Sequence, residues 1–373
     1  MFACIGGLFF FILLVLYLKS NSNNYLNRIQ YKRLYIIFVL FGVFGVSFGD
    51  FWSYASLVEE AYKAYQSYQG DDWHRSLHME PLYNNLAVFC GGNYFLWRFV
   101  WYIVQYFGIF YMFKCLKIDN YRMIYLFSIF ALFSVSGGRV SWGISFFWLG
   151  FYTFYKTKNK KVLLYFFAAL FSHNSIILLF LILPFIFVRV KKTYALITLF
   201  LIPSLAFLVS DLINTLLDQL ELLGSAYDAD KLAGHIYFYQ NSQDLSFWGR
   251  SIGEIIVNLL SRFPLYYVFL VYLYNYHKKN ILLSDAGEKL LRISYTLFLF
   301  TLVVLFAKLG SVSFYERYLI MLFLPVFLLT CVESGNFFLK RKDFKFCIFL
   351  MFTSDVFAYL KSIYYYSIQE PSF

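Results

Sequence analysis

Long apolar runs alternate with short polar or basic segments over almost the whole chain. A membrane-spanning helix needs about 20 predominantly apolar residues, and sometimes a few fewer. The pattern therefore predicts an all-α polytopic integral membrane protein with about twelve transmembrane helices, and between about 10 and 14. The apolar runs that define these spans are 2–18, 34–49, 94–113, 121–136, 139–155, 161–173, 174–189, 194–210, 253–275, 291–308, 316–333 and 345–363.

Composition agrees with this class of protein. Hydrophobic residues make up 61% of the chain and charged residues 14%, whereas soluble domains carry about a quarter charged residues. The net charge of +11 does not indicate a nucleic-acid partner, because the basic residues form short clusters between apolar runs. The cysteines lack the spacing of a metal or redox site. We therefore predict a lipid bilayer as partner, and no metal or redox site at the cysteines.

The basic clusters lie in alternate loops of the twelve-span arrangement. Cytoplasmic loops of membrane proteins carry an excess of Lys and Arg, so we predict that both termini lie on the outer side of a bacterial inner membrane. The first run has no cleavage site and is predicted to be a retained span. The chain, 1–373, is then a single transmembrane domain with two long outer loops, 50–93 and 211–252. The second of these loops begins with an amphipathic pattern that predicts an interfacial helix.

A break between two apolar runs draws attention to a single arginine. Ser136, Gly137 and Gly138 interrupt the apolar sequence, Arg139 follows, and a new apolar run begins at once. A cation between two membrane segments is costly unless it lies at an interface or in a polar cavity. Arg139 is therefore either an interfacial anchor or part of a site.

Other polar residues fall on the same predicted outer side. Asp50 ends the second run, and Tyr54 shares its helix face. Glu80 precedes a proline that suits a first helical turn, with Tyr83 close behind. Each carboxylate is either a residue of a helix end or a candidate base.

Three further candidates lie later in the chain. His173 falls between two apolar runs, and it is either a buried neutral histidine or a group that takes a proton near neutral pH. Arg317 stands beside Glu316, either as an ion pair or as an anion ligand, and Arg250 is a weaker candidate. Arg98, inside an apolar run, is unusual but has no assignable role. No nucleotide-binding phosphate loop, serine-hydrolase elbow or zinc-protease motif is present in the sequence.

The order of these motifs resembles the EpsG family, which is related in role to the Wzy polymerases of surface polysaccharide. The resemblance rests on Asp50-Phe-Trp-Ser-Tyr, Glu80-Pro-Leu-Tyr, Arg139, His173-Asn-Ser and Tyr-Glu-Arg317-Tyr318, and it covers residues from about 30 to 335. Leu82 stands where the family often has glycine, and Val140 follows Arg139 where glutamine is frequent. Both departures leave the charged groups in place.

The resemblance implies a GT-C/Wzy-like helical architecture and a polysaccharide polymerase. Such an enzyme is a membrane glycosyltransferase that moves a growing glycan from undecaprenyl diphosphate to a lipid-linked repeat unit at the outer face of the membrane. Its substrates would be an undecaprenyl-diphosphate-linked donor and acceptor, and its protein partners a flippase and a chain-length regulator. The resemblance also implies a site without metal or cofactor; if the reaction needs a metal, Asp50 and Glu80 would be its ligands. The implied residues are as follows: Glu80, His173 and Asp50 for catalysis, Arg139, Arg317 and Arg250 for the diphosphate, and Tyr54, Tyr83 and Tyr318 for substrate orientation.

Two other functions stay open at the level of sequence. A transporter or flippase of lipid-linked oligosaccharides would use the same cations without changing a bond, but its charges should line both halves of a transport path. A membrane acyltransferase would need a histidine that faces a cytosolic donor, and His173 is predicted on the opposite side.

Overall fold

The computed structural model describes part of the chain, mostly in its longer helices. The described residues are 2–20, 28–45, 50–67, 81–115, 138–157, 162–172, 176, 180, 192–208, 252–278, 281–306, 325–326, 328–329, 332–333, 341–343, 346–347, 349–350, 353, 356–357, 360 and 363–364. Ten longer helices lie within them: α1 (Phe2–Ser20), α2 (Arg28–Phe44), α3 (Asp50–Ser67), α4 (Pro81–Phe89), α5 (Tyr94–Cys115), α6 (Gly138–Thr157), α7 (Val162–Ser172), α8 (Lys192–Leu208), α9 (Ile252–His277) and α10 (Asp285–Phe306).

The predicted all-α class is confirmed for the described residues, which contain helices and no strand. Seven predicted runs coincide closely with α1, α5, α6, α7, α8, α9 and α10. None of the helices, as far as they are described, is both long enough and apolar enough to qualify as a membrane span. The number of spans, the GT-C/Wzy-like architecture and the sidedness of the loops stay predictions.

The two predicted outer loops have different outcomes. Region 50–93 contains two helices, α3 and α4, rather than an extended connection. Its acidic and polar residues had marked it as a loop, but alanine, leucine and tyrosine at helical spacing give α3 an apolar face. Region 211–252, with its predicted interfacial helix, lies almost entirely outside the described residues.

The chain divides into two compact units, 1–181 with 352–373, and 182–351. In the first unit, α1 packs on α2, α2 on α5, α5 on α6, and α6 on α7. α5 and α6 lie in van der Waals contact at Gly108, where an added Cβ atom would be 3.5 Å from the carbonyl oxygen of Ser145. Gly143 of α6 lies closer to its neighbour, since an added Cβ atom there would be 2.6 Å from the side chain of Ile176.

A tight turn joins α4 to α5. Gly91 and Gly92 have positive φ angles of 61° and 74°, a conformation that strains residues with a Cβ atom. The side chain of Asn93 then caps α5, because its Oδ1 accepts a hydrogen bond of 3.0 Å from the backbone N–H of Leu96. The turn therefore sets where α5 begins relative to α4.

In the second unit, α10 packs against α8 and α9. The Tyr295 hydroxyl donates a hydrogen bond of 3.2 Å to the carbonyl oxygen of Ala195 in α8, and the Phe298 ring lies 5.0 Å from the Phe269 ring of α9. Ser284 caps α10, since its Oγ accepts a 3.1 Å hydrogen bond from the N–H of Gly287.

Candidate functional site

The predicted site residues are described to different extents. Asp50 is the first residue of α3 and Arg139 the second residue of α6, and only their backbone positions are described. Tyr54 and Tyr83 are described with their side chains. The other candidates lie outside the described residues, and these are Glu80, His173, Arg250, Arg317 and Tyr318.

Tyr54 and Tyr83 belong to one aromatic cluster with three tryptophans, Trp97 and Trp101 of α5 and Trp142 of α6. The Tyr83 ring centroid lies 5.7 Å from that of Trp97, 5.9 Å from that of Trp101 and 5.4 Å from that of Trp142. Tyr54 lies 6.3 Å from Trp97 and 6.2 Å from Trp101. The structure thus brings together two predicted orienting residues that are separated by 29 positions in the sequence.

The cluster stands where three helices begin. Tyr54 is the fifth residue of α3, Tyr83 the third residue of α4, and Trp142 the fifth residue of α6. Because an α-helix rises about 1.5 Å per residue, its fifth residue lies about 6 Å from its first residue, measured along the helix axis. The starts of α3, α4 and α6 therefore all lie close to the aromatic cluster, and the backbones of Asp50 and Arg139 lie there with them.

Helix starts give this place a positive electrostatic character. The first N–H groups of an α-helix have no partner within the helix, and the macrodipole places about half a positive charge at that end. Helix N-termini are for this reason common binding sites for phosphate groups.

Two of the three tryptophans have indole N–H groups without a hydrogen-bond acceptor. Nε1 of Trp97 donates a hydrogen bond of 3.2 Å to the carbonyl oxygen of Tyr83. Nε1 of Trp101 and Nε1 of Trp142 are buried and have no partner within the part of the chain that is described. An indole N–H only donates, so each of these groups lacks an acceptor.

The sequence reasoning did not identify these three tryptophans as part of the site. Trp97 and Trp101 are one helical turn apart and share a face of α5, and Trp142 follows Arg139 by three positions. That spacing was a usable signal, but tryptophans are frequent in predicted membrane segments, and their pairing depends on how α5 and α6 pack.

Arg98 has a defined place beside the cluster. It is 3% exposed, and its Nη2 donates hydrogen bonds of 2.5 Å to the carbonyl oxygens of Gly42 and Gly45. Its guanidinium carbon also lies 5.5 Å from the ring centroid of Tyr94 and 5.4 Å from that of Tyr102. Arg98 therefore caps the C-terminal end of α2, four residues before α3 begins.

Metal ligation has no support among the described residues, where no group of three His, Cys, Asp or Glu side chains could hold an ion. The metal-free site stays a prediction.

The described part of the molecule is thus helical, and its first unit gathers the starts of α3, α4 and α6 around a buried aromatic cluster. The EpsG family model matches residues 32–369, and the chain belongs to the EpsG family. Membership associates it with polysaccharide biosynthesis and with a membrane. No curated protein and no solved structure shows a significant match to the chain.

Proposed function

We propose that the protein is a polysaccharide polymerase of the bacterial inner membrane. It transfers a growing glycan from undecaprenyl diphosphate to a lipid-linked repeat unit at the outer face of that membrane. The observation that carries the proposal is the meeting of the starts of α3, α4 and α6 at one aromatic cluster. The proposal assigns Asp50, the first residue of α3, and Arg139, the second residue of α6, to the same site, although they are 89 positions apart in the sequence.

The reaction needs a group that stabilises the leaving diphosphate. A hydroxyl oxygen of the acceptor sugar attacks the anomeric carbon of the donor glycan, and the bond from this carbon to the diphosphate oxygen breaks. Undecaprenyl diphosphate leaves with the electron pair. Arg139 binds the diphosphate through charge-assisted hydrogen bonds, with Arg317 and Arg250 as further cations, and the N–H groups at the helix starts add to this stabilisation.

A base must take the proton of the acceptor hydroxyl. Glu80 and His173 are the first candidates and Asp50 the third, since a carboxylate or a neutral imidazole accepts a proton near neutral pH. Glu80 immediately precedes α4, whose third residue, Tyr83, belongs to the aromatic cluster. Tyr54, Tyr83 and Tyr318 would orient the sugars or the side chains that hold them.

The test is extension of a purified lipid-linked repeat unit by the purified full-length protein. We expect wild type to form polymer, with or without a chelator. Arg139→Ala should lower the rate by about 100-fold or more, the usual effect of removing one group that stabilises developing negative charge. Lys63→Ala is the matched control, because Lys63 is an exposed residue of α3 whose partner is Glu59 on the same helix surface.

The outcomes separate the proposed enzyme from its alternatives. A transporter of lipid-linked oligosaccharides changes no bond, so wild-type protein without extension activity would refute the polymerase. Full-length polymer from Arg139→Ala would refute the role of Arg139. A rate that collapses with chelator and returns with a divalent cation would refute the metal-free site.

A further inference from the structure

We infer that the indole N–H groups of Trp101 and Trp142 are hydrogen-bond donors to the diphosphate of the lipid-linked substrate. This inference rests on the proposed function and adds two ligands to the same site. It starts from the two buried N–H groups that have no acceptor among the described residues.

The two indole rings pack against a common neighbour, Tyr83. Their ring centroids lie 6.4 Å apart, and each packs against Tyr83, at 5.9 Å for Trp101 and 5.4 Å for Trp142. Both tryptophans are almost fully buried, at 2% and 4% exposure. A buried donor without an acceptor destabilises the folded protein. Two such donors in one cluster indicate that an acceptor joins them in the working state.

The chemistry of the surroundings selects the class of ligand. An indole offers one donor and no acceptor, and the starts of α3, α4 and α6 offer further N–H donors and positive partial charge. A sugar hydroxyl both donates and accepts, so it would leave its own proton without a partner beside these groups. A diphosphate only accepts near neutral pH and is anionic, so it matches donors that surround it.

The ligand reaches the indoles from the edge of the cluster. Tyr54 and Phe146 are half-buried and pack against its buried members. The two Nε1 atoms are closed to solvent in the structure. Diphosphate binding therefore requires the side chains at this edge to move aside.

A tryptophan outside the aromatic cluster, Trp148, provides a matched control. Trp148 lies further along α6, is fully buried, and also has an Nε1 atom without an acceptor among the described residues. Its ring packs against Phe147 and Phe151 rather than against the aromatic cluster. Trp148→Phe therefore removes the same kind of group from the same helix, away from the helix starts.

The experiment measures binding of farnesyl diphosphate, inorganic pyrophosphate and farnesol to the purified full-length protein by calorimetry. We expect wild type to bind farnesyl diphosphate and pyrophosphate. Farnesol, which lacks the diphosphate, should bind weakly or not at all. Trp101→Phe and Trp142→Phe should each weaken diphosphate binding by about tenfold, the effect of one hydrogen bond to a charged group, and Trp148→Phe should leave it unchanged. Replacement of Trp142 by 3-benzothienylalanine, which keeps the ring size and removes the N–H, should match Trp142→Phe.

Each outcome decides the inference. Diphosphate affinity that is unchanged in Trp101→Phe and Trp142→Phe, or reduced equally in Trp148→Phe, overturns it. Wild-type affinity in the 3-benzothienylalanine protein also overturns it, because the ring and not the N–H would then matter. Wild-type binding of farnesyl diphosphate without pyrophosphate binding would show that the lipid is recognised and would overturn it too. Failure of wild type to extend a repeat unit, with diphosphate binding intact, would refute the polymerase and leave the two donors in place.

Discussion

The guanidinium of Arg98 donates a 2.5 Å hydrogen bond to the carbonyl oxygen of Gly42, at the C-terminal end of α2. A Cβ atom at Gly42 would lie 2.5 Å from the Tyr102 ring, so this position leaves room for that ring only because it is glycine. A buried cation is costly unless its hydrogen bonds are satisfied. The Arg98 guanidinium donates to the carbonyl oxygens of Gly42 and Gly45, and the last carbonyls of a helix have no partner within the helix itself. The residue thus connects α5 to the end of α2, just before the chain enters α3.

Arg98→Met should destabilise the protein strongly. A buried acceptor that loses its donor costs about 1–3 kcal/mol, and here the carbonyls of Gly42 and Gly45 both lose theirs. Thermal unfolding of the purified protein measures the effect. Lys63→Met is the control, since an exposed pair at i,i+4 contributes at most about 0.5 kcal/mol. An equal shift in both variants would contradict the capping role.

Tyr83→Ala should open a cavity in the aromatic cluster. Tyr83 is fully buried and contacts Trp97, Trp101 and Trp142, and truncation of a large buried aromatic side chain costs about 3–5 kcal/mol. We expect a lower unfolding temperature and the loss of glycan extension. Tyr65→Ala, at an exposed position of α3, should change neither property. An unfolding temperature equal to wild type would show that Tyr83 does not hold the cluster together.

Cys90 should resist alkylation in the folded protein. Burial raises the pKa of its thiol, and the thiolate is the reactive form. At neutral pH little thiolate is present, and the rate should rise only as the pH approaches that raised pKa. Iodoacetamide labelling followed by peptide mass spectrometry measures the rate.

The control for this labelling is the adjacent position. Phe89 is 79% exposed, so the cysteine of Phe89→Cys should react much faster than Cys90 at the same pH. Labelling of Cys90 at the rate of that exposed thiol would disprove its burial.

Gly287→Ala should be destabilising only while Glu333 is present. A Cβ atom at Gly287 would collide with the Glu333 carboxylate. This carboxylate also accepts hydrogen bonds of 3.0 Å from the Ser284 N–H and 2.5 Å from its hydroxyl. Displacing it should cost about 1–3 kcal/mol for the lost hydrogen bonds.

A double-mutant cycle with Glu333→Ala tests this coupling. In the Glu333→Ala background, Gly287→Ala should have little effect on the unfolding temperature, because the colliding carboxylate is gone. Additive effects of the two substitutions would indicate that Gly287 and Glu333 do not interact.

Much of the helical architecture was predictable from local pattern. The runs 94–113 and 139–155 correspond to α5 and α6 because an unbroken apolar segment of that length has few alternatives to a helix. Region 50–93 contains α3 and α4, and polar residues on one face of α3 make its helical periodicity harder to recognise in the sequence. The outer position of this region stays a prediction. The predicted site residues Glu80, His173, Arg250, Arg317 and Tyr318 lie outside the described residues and stay predictions.

Sequence by itself determined the all-helical class, the family, and which charged residues are candidates for the proposed site. These depend on composition, on periodicity and on the order of short motifs. Only the tertiary structure decided that Tyr54, Tyr83 and Trp142 meet around Trp97 and Trp101. Such contacts join helices that are distant along the chain, and an apolar face can pack against many partners without a change in its own pattern. The convergence of three helix starts is for that reason a property of packing.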